Sequence, residues 1–324
     1  MYEILSIGEI LVDLMPYTGR GLQDARVFEA KAGGSAANVA CVTAKLGHPT
    51  AFVGKVGRDA MGEHCMETLR SCGVDTTLVK VSDALPTTLA LVAHDSKGDR
   101  SFGFYRTGTA DTDLSEDDVR ELNISMPAKY VHFGGVSLTK GPLRDSVFST
   151  VESAKKNGSV ISYDPNLRES LWGSMSEAKT LMSDAMRYAN ILKISEEEGE
   201  FFFGQRDHEK IFDIISEKYG VDMILITCAE RGCVCRLGDL TVASRAYDVK
   251  TVDTTGAGDA FLGGVLHSVL GLGKRLDELT EEELTHTLDV ANAVGSLVTT
   301  APGAIDAIPD AEDIDLCMAK IARI

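Results

Sequence analysis

At 324 residues the chain is long enough for one large α/β domain or two smaller ones with a sizeable core. Hydrophobic residues make up 44% and charged residues 25%, which excludes a disordered or collagen-like polymer. The formal charge of -17 repels polyanions, and Lys and Arg are scattered, so sequence-independent binding to nucleic acid or an anionic membrane is excluded too. Reading from the amino end, the run Tyr2 to Pro16 is broken by Glu3, Glu9 and Asp13, which fits neither a signal peptide nor a membrane span. The expected address is the cytoplasm.

Runs rich in Val and Ile predict strands beginning near Glu3, Thr50, Lys129, Ser159, Asn190 and Asp222. Helical periodicity fills the intervals. Ser35 to Leu46 places Ala37, Ala40 and Ala44 on one face and stops at Gly47, and Pro142 to Asn157 stops at Gly158. This repeated order predicts an α/β fold, a doubly wound, mainly parallel sheet flanked by helices, with ligands beyond the carboxyl ends of the strands. Two segments break the alternation, about 16–32 and 86–108. The second reads as two strands around the turn Asp95-Ser96-Lys97-Gly98-Asp99. They predict a small β element inside one domain spanning 1–324, able to act as a lid, and its outer face is a candidate surface for a homodimer; the bland alternative is a decorative hairpin.

Cys41, Cys65, Cys72, Cys228, Cys233, Cys235 and Cys317 form no disulfide framework and fit a reducing compartment. Cys228, Cys233 and Cys235 are close in sequence, yet no histidine lies beside them and the last two alternate as in a strand, so core thiols are expected rather than a metal site.

The chemistry concentrates in Asp253-Thr254-Thr255-Gly256-Ala257-Gly258-Asp259-Ala260-Phe261, which leads into a helical run from Leu262 to Leu270. Gly256, Ala257 and Gly258 let backbone N–H groups form a concave anion site at a helix start. Asp259 sits in the first turn beside it, placed to accept a proton from an attacking hydroxyl. The competing account is that Asp259 only serves the helix terminus. Neither a Walker A sequence nor a dinucleotide-type Gly-x-Gly-x-x-Gly after the first strand is present.

The stretch DTTGAGDAF resembles the second signature of the PfkB family, the ribokinase-like carbohydrate kinases. Gly33-Gly34-Ser35-Ala36-Ala37-Asn38, with Ala40, Gly47 and Gly57 following, resembles the family's first signature. Two motifs more than two hundred residues apart, in the expected order, carry this resemblance over the whole chain. It implies ATP-dependent transfer of a phosphoryl group to a sugar, with Mg2+. Asp13, read as lying at the end of the first strand, resembles the aspartate that grips sugar hydroxyls, since a carboxylate accepts two donors at once; a solvated strand end is the alternative. Gly33, Gly34 and Asn38 match the sugar-binding part of the first signature, although Asn38 could equally satisfy nearby backbone.

On the nucleotide side, Lys193-Ile194-Ser195-Glu196-Glu197-Glu198 occupies the place of the family's Asn-x-x-Glu motif. Glu198 is the acid that would organise magnesium through water, and Ser195 departs from the usual asparagine; three glutamates opening a helix would also suit its dipole with no metal. Thr227-Cys228-Ala229-Glu230-Arg231-Gly232 resembles the turn that contacts nucleotide phosphate and ribose, with Cys228 and Ala229 in place of the more frequent Leu and Gly. Asn292 resembles a position bordering the adenine pocket, or else is a partly buried helix polar. Asp253 and Thr255, with backbone oxygens near Val298, Ala301 and Gly303, match segments that hold a monovalent cation such as K+ in many relatives, and Ala307 stands where some use serine.

Within the family, Gly8-Glu9 before Asp13, Phe104-Tyr105-Arg106 leading to Ala110-Asp111, and Asp164-Pro165-Asn166-Leu167-Arg168 before Leu171-Trp172 are similar to fructokinases, as is the segment from Ala301 to Pro309. Kinases of 2-keto-3-deoxygluconate use arginines at places like Arg106 and Arg168, where a planar fork pairs with a substrate carboxylate. An aminoimidazole riboside kinase is also close in pattern. The resemblance therefore implies a fructokinase, with these two kinases and a catalytically silent sugar or nucleotide sensor as alternatives.

Overall fold

The computed structural model describes residues 2–16, 22, 25–94, 100–122 and 128–324. In chain order the strands are β1 (Ile4–Ile7), β2 (Leu11–Pro16), β3 (Phe28–Gly33), β4 (Thr50–Gly57), β5 (Val79–Ser82), β6 (Leu89–His94), β7 (Arg100–Tyr105), β8 (Tyr130–Gly134), β9 (Val160–Asp164), β10 (Ile191–Ser195), β11 (Met223–Thr227), β12 (Cys233–Leu237) and β13 (Leu240–Ser244). The α-helices are α1 (Ser35–Lys45), α2 (Ala60–Ser71), α3 (Glu116–Glu121), α4 (Gly141–Lys156), α5 (Met175–Ala185), α6 (Glu196–Phe203), α7 (His208–Tyr219), α8 (Ala257–Leu272), α9 (Glu281–Val298) and α10 (Ala311–Lys320).

Nine strands pair in the order β13-β12-β11-β10-β9-β8-β1-β4-β5. The pairings from β5 through β11 are parallel, and β12 and β13 close the far edge as an antiparallel hairpin. Parallel strands covered on both faces need apolar side chains pointing both ways, which is why the sequence shows continuous apolar runs and not alternation. In β1, Ile4 packs under α1, α8 and α9 with Val39, Leu262 and Leu284, while Leu5 and Ile7 face Leu143 and Val147 of α4 and Met182 of α5 on the other side. Each of the six strand starts read from the sequence falls within a residue of a strand of this sheet. The helix stops at Gly47 and Gly158 are likewise formed, with φ of 95° and 85°, in the left-handed region where glycine is favoured.

A second sheet of four strands has the order β3-β2-β6-β7. It contains β3 from the first irregular segment and β6 and β7 from the second; the turn Asp95 to Asp99 lies outside the described residues. One expectation is corrected. Asp13 does not end the first strand: the chain leaves the large sheet at Ile7, turns through Gly8 to Ile10, and Asp13 lies on β2, opposite Lys31 of β3 and Ala90 of β6. The bend is held from a distance: Glu9 is fully buried, and its carboxylate accepts the Ser35 N–H at 2.7 Å and the Ser137 hydroxyl at 2.5 Å, 26 and 128 residues along the chain. The small sheet is fastened to the body by Arg106, whose Nε donates to Asp111 Oδ2 at 2.7 Å and whose Nη1 donates to the Val136 carbonyl at 2.9 Å.

Candidate active site

The carboxyl ends of the central strands and the inner face of the small sheet enclose a cavity of about 470 Å³. Its floor is the start of α8. Gly256 caps this helix with φ 75°, and a Cβ there would come within 2.3 Å of the Ala304 Cβ, so both conformation and space demand glycine. A Cβ on Gly258 would lie 2.9 Å from Lys193 Nζ, so glycine keeps the backbone at the start of α8 open to the cavity, with the Ala257 N–H donating to the Thr254 carbonyl at 3.2 Å.

Asp259 is 5% exposed and held from two directions. Asn38 Nδ2 donates to its Oδ2 at 2.7 Å across 221 residues of sequence, and Asn166 Nδ2 donates to its Oδ1 at 2.9 Å. Burial pushes its pKa up to about 7, with the nearby Asp164 carboxylate adding to the rise; the Asn38 hydrogen bond, Lys193 and Arg168 work in the opposite direction. Near neutrality its carboxyl is thus divided between the neutral and ionised forms.

Asp13, Gly34 and Asn38 line the same cavity as Gly256, Ala257, Gly258 and Asp259, and Phe104 of β7 faces it from the small sheet. Gly33 abuts this wall: a Cβ on it would meet Asp13 Oδ2 at 2.8 Å. Gly34 has φ 124° and its missing Cβ would lie 2.6 Å from the Glu9 carbonyl, which lets α1 start directly against the Glu9 turn. Arg168 also lines the cavity. Arg106 does not. It is 4% exposed, with Nε and Nη1 committed to Asp111, Val136 and Thr139, and Nη2 without a hydrogen-bond partner among the described residues.

Lys193, Ser195 and Glu198 form the opposite wall. The Lys193 ammonium is 3.0 Å from Asp164 Oδ2. Burial opposes its charge, but Asp164 and Glu198 outweigh burial and hold its pKa above the ordinary lysine value. Ser195 and Glu198 make a reciprocal cap at the start of α6: Glu198 Oε2 accepts the Ser195 N–H at 2.8 Å and the Ser195 hydroxyl accepts the Glu198 N–H at 3.2 Å. Glu198 Oε1 accepts the Leu167 N–H at 2.7 Å, and burial raises its pKa. Asp164 pairs directly with this ammonium, while Glu198 and Asp259 act on it through their charges, so the wall is rich in buried carboxylate oxygens, the donor type that Mg2+ prefers.

Thr227 and Ala229 border this cavity and a second one of about 480 Å³, which shares Thr254, Ala257 and Gly258 with it. Gly232, Tyr247, Phe261 and Asn292 line the second space. Asn292 has committed its amide: Nδ2 donates to Ser244 Oγ at 2.9 Å and to the Ser244 carbonyl at 3.2 Å, tying α9 to β13. Asp253 is buried in the loop that joins the two cavities; its Oδ1 accepts the Thr255 N–H and hydroxyl, and its Oδ2 accepts the Gly303 N–H at 3.0 Å. This carboxylate brings together the Thr255 and Gly303 segments; Val298 is buried at the end of α9, and Ala301 lies between them at the start of the loop.

Three participants were not assigned from sequence. Glu9 fixes the start of α1, Asn166 holds the Asp259 carboxylate, and Asp164 pairs with Lys193. The motif Asp164-Pro165-Asn166 was visible, but the roles depend on partners 29 and 93 residues away. A local clue exists in Asn166, whose φ of 44° is a conformation that asparagine tolerates better than most residues.

A model of the pfkB family of carbohydrate kinases matches residues 1–311. Over 316 residues the chain is 37% identical to fructokinase-1 of Zea mays, covering 96% of each. Among solved structures, it superposes with TM-score 0.88 and 27% identity on fructokinase with bound ATP from Xylella fastidiosa, covering 99% of both chains. With TM-score 0.86, 29% identity and 98% coverage of both, it also matches a double mutant of fructokinase from Vibrio cholerae O395 bound to fructose, ADP and a potassium ion.

Proposed function

The chain belongs to the pfkB family of carbohydrate kinases and is an ATP-dependent enzyme, and we propose that its acceptor is fructose, with Asp259 as the general base. The observation that carries this reading is the hydrogen bond from Asn38 to Asp259, which joins the sugar-side and phosphate-side motifs in one cavity. Asp13 and the Gly34 turn would hold the sugar hydroxyls, and Asp259 would take the proton from a primary hydroxyl as it attacks the γ-phosphoryl group of ATP in line. The amides from Gly256 to Gly258 stabilise charge on the transferred group, and Arg168 stands in the cavity to contribute. Thr227, Ala229, Gly232 and Asn292 border the space on the nucleotide side.

Magnesium would be organised by Glu198 and its acidic surroundings, and when bound it offsets the negative charge of the β- and γ-phosphates. Asp253 and Thr255, with backbone near Val298, Ala301 and Gly303, would hold potassium and so order the loop before α8. Equal rates with and without potassium would refute that role.

Fructose is favoured over a sugar acid by the position of Arg106. A buried guanidinium paired with Asp111, with Nη1 spent on Val136 and Thr139 and no place in the cavity lining, does not supply a carboxylate clamp. The 37% identity to the maize fructokinase supports the same choice. The test is turnover with Mg-ATP across fructose, 2-keto-3-deoxygluconate and aminoimidazole riboside, followed by ADP release. Fructose should give the largest kcat/KM; preference for the sugar acid would overturn the acceptor, and silence with all three would favour a sensor.

A further inference from the structure

The sequence separates Cys228 from any histidine, but the fold does not. Cys228 follows β11, His208 opens α7, and Glu196 opens α6; their ligating atoms all lie within 4.8 Å of one another. Glu196 Oε1 is 2.8 Å from His208 Nε2, and that nitrogen is 4.0 Å from Cys228 Sγ. Tetrahedral zinc, with bonds of about 2.0 to 2.3 Å, sets its ligand atoms about 3.3 to 3.7 Å apart, so the cluster is within small side-chain adjustments of that geometry.

We infer that Glu196, His208 and Cys228 form a binding site for a zinc-class transition-metal ion, separate from the magnesium donors of the phosphoryl-transfer cavity. One thiolate, one imidazole and one carboxylate select zinc or its cobalt analogue over magnesium, which prefers oxygen donors alone. Glu196 and His208 keep 23% and 24% of their side chains exposed, which leaves a path for the ion and for water as fourth ligand. Arg231, now paired with Glu196, is 63% exposed and can swing into solvent. Burial keeps the Cys228 thiol protonated, and the metal's charge would form the thiolate, releasing its proton to solvent. The site lies behind the cavity wall, because Cys228 falls between Thr227 and Ala229, and Glu196 between Ser195 and Glu197, all of which line the cavity. It depends on no assumption about the sugar.

Co2+ titration of the nucleotide-free, full-length protein tests the assignment. A single equivalent should produce a thiolate-to-cobalt charge-transfer band, and Zn2+ should displace it. Cys228→Ser should abolish the band, and His208→Gln should weaken Co2+ binding at least about tenfold, as loss of a ligand does, while His208→Gln leaves sugar phosphorylation at the wild-type rate. An unchanged band in Cys228→Ser, undiminished affinity in His208→Gln, or no stoichiometric Co2+ binding by the wild type would overturn the site. Should Cys228→Ser fail to fold, His208→Gln decides alone.

Discussion

A single carboxyl carries two opposing requirements. As the proposed base, Asp259 must be an anion to accept a proton, yet its burial favours the neutral acid and brings its pKa to about 7. The free-enzyme kcat/KM should therefore rise with pH through a limb near 7, and a pH-rate profile that is flat from 5 to 9 would exclude Asp259 as the titrating base. The same shift has a sign for stability. The folded state holds this proton at pH values where the unfolded chain has lost it, so the group weakens the fold as pH climbs from the ordinary aspartate range to about 7. Asp259→Asn should thus lower turnover by about two to four powers of ten while leaving the thermal midpoint at pH 8 equal to or above wild type. Ala229 offers a second residue-scale test. It occupies φ 50°, the left-handed conformation in which a Cβ is strained, at the position where relatives more often carry glycine. Ala229→Gly should raise stability by up to about 1 kcal/mol in denaturant titration, and a loss of that size would show that its Cβ makes a compensating contact.

Helix α8 carries the amides proposed to bind the phosphoryl group, and two of its glycines explain how it is seated. Gly263 faces α1, where an added Cβ would lie 2.5 Å from Val42 Cγ1; Gly271 is exposed with nothing within 4 Å. The same substitution should therefore act in opposite directions. At Gly271, alanine gains helix propensity of about 1 kcal/mol; at Gly263 overpacking of about 1 to 3 kcal/mol outweighs that gain. Paired urea titrations of Gly263→Ala and Gly271→Ala should show the first destabilised and the second stabilised, and equal shifts would mean that α1 and α8 part without strain. The sequence showed this helix and its partner through their glycines and alanines. It did not show β2 as a separate strand, because the break at Glu9 arises from hydrogen bonds to Ser35 and Ser137, which no local propensity encodes.

At the scale of the molecule, the strand starts were legible because buried parallel strands advertise themselves as apolar runs. The two signatures were legible because glycines at a helix start lay bare the backbone amides that an anion requires. What remained hidden was pairing: Asn166 with Asp259, Asp164 with Lys193, Arg106 with Asp111, and His208 with Cys228. Each is a long-range or side-chain event set by topology. The net charge of -17 also acts at this scale, since an acidic protein surrounds a cavity meant for an anionic nucleotide. Added salt screens that repulsion. With potassium and magnesium held constant, kcat/KM for Mg-ATP should increase modestly as tetramethylammonium chloride brings the ionic strength from about 10 to 150 mM, a span over which the Debye length falls from about 30 to 8 Å. A steep decrease would point to local attraction overriding the global field.

The Asn38 to Asp259 hydrogen bond also has a temporal meaning. The amide donor is translated 221 residues ahead of the carboxylate it restrains, so this link between the two motifs can close only after the ribosome has passed Asp259.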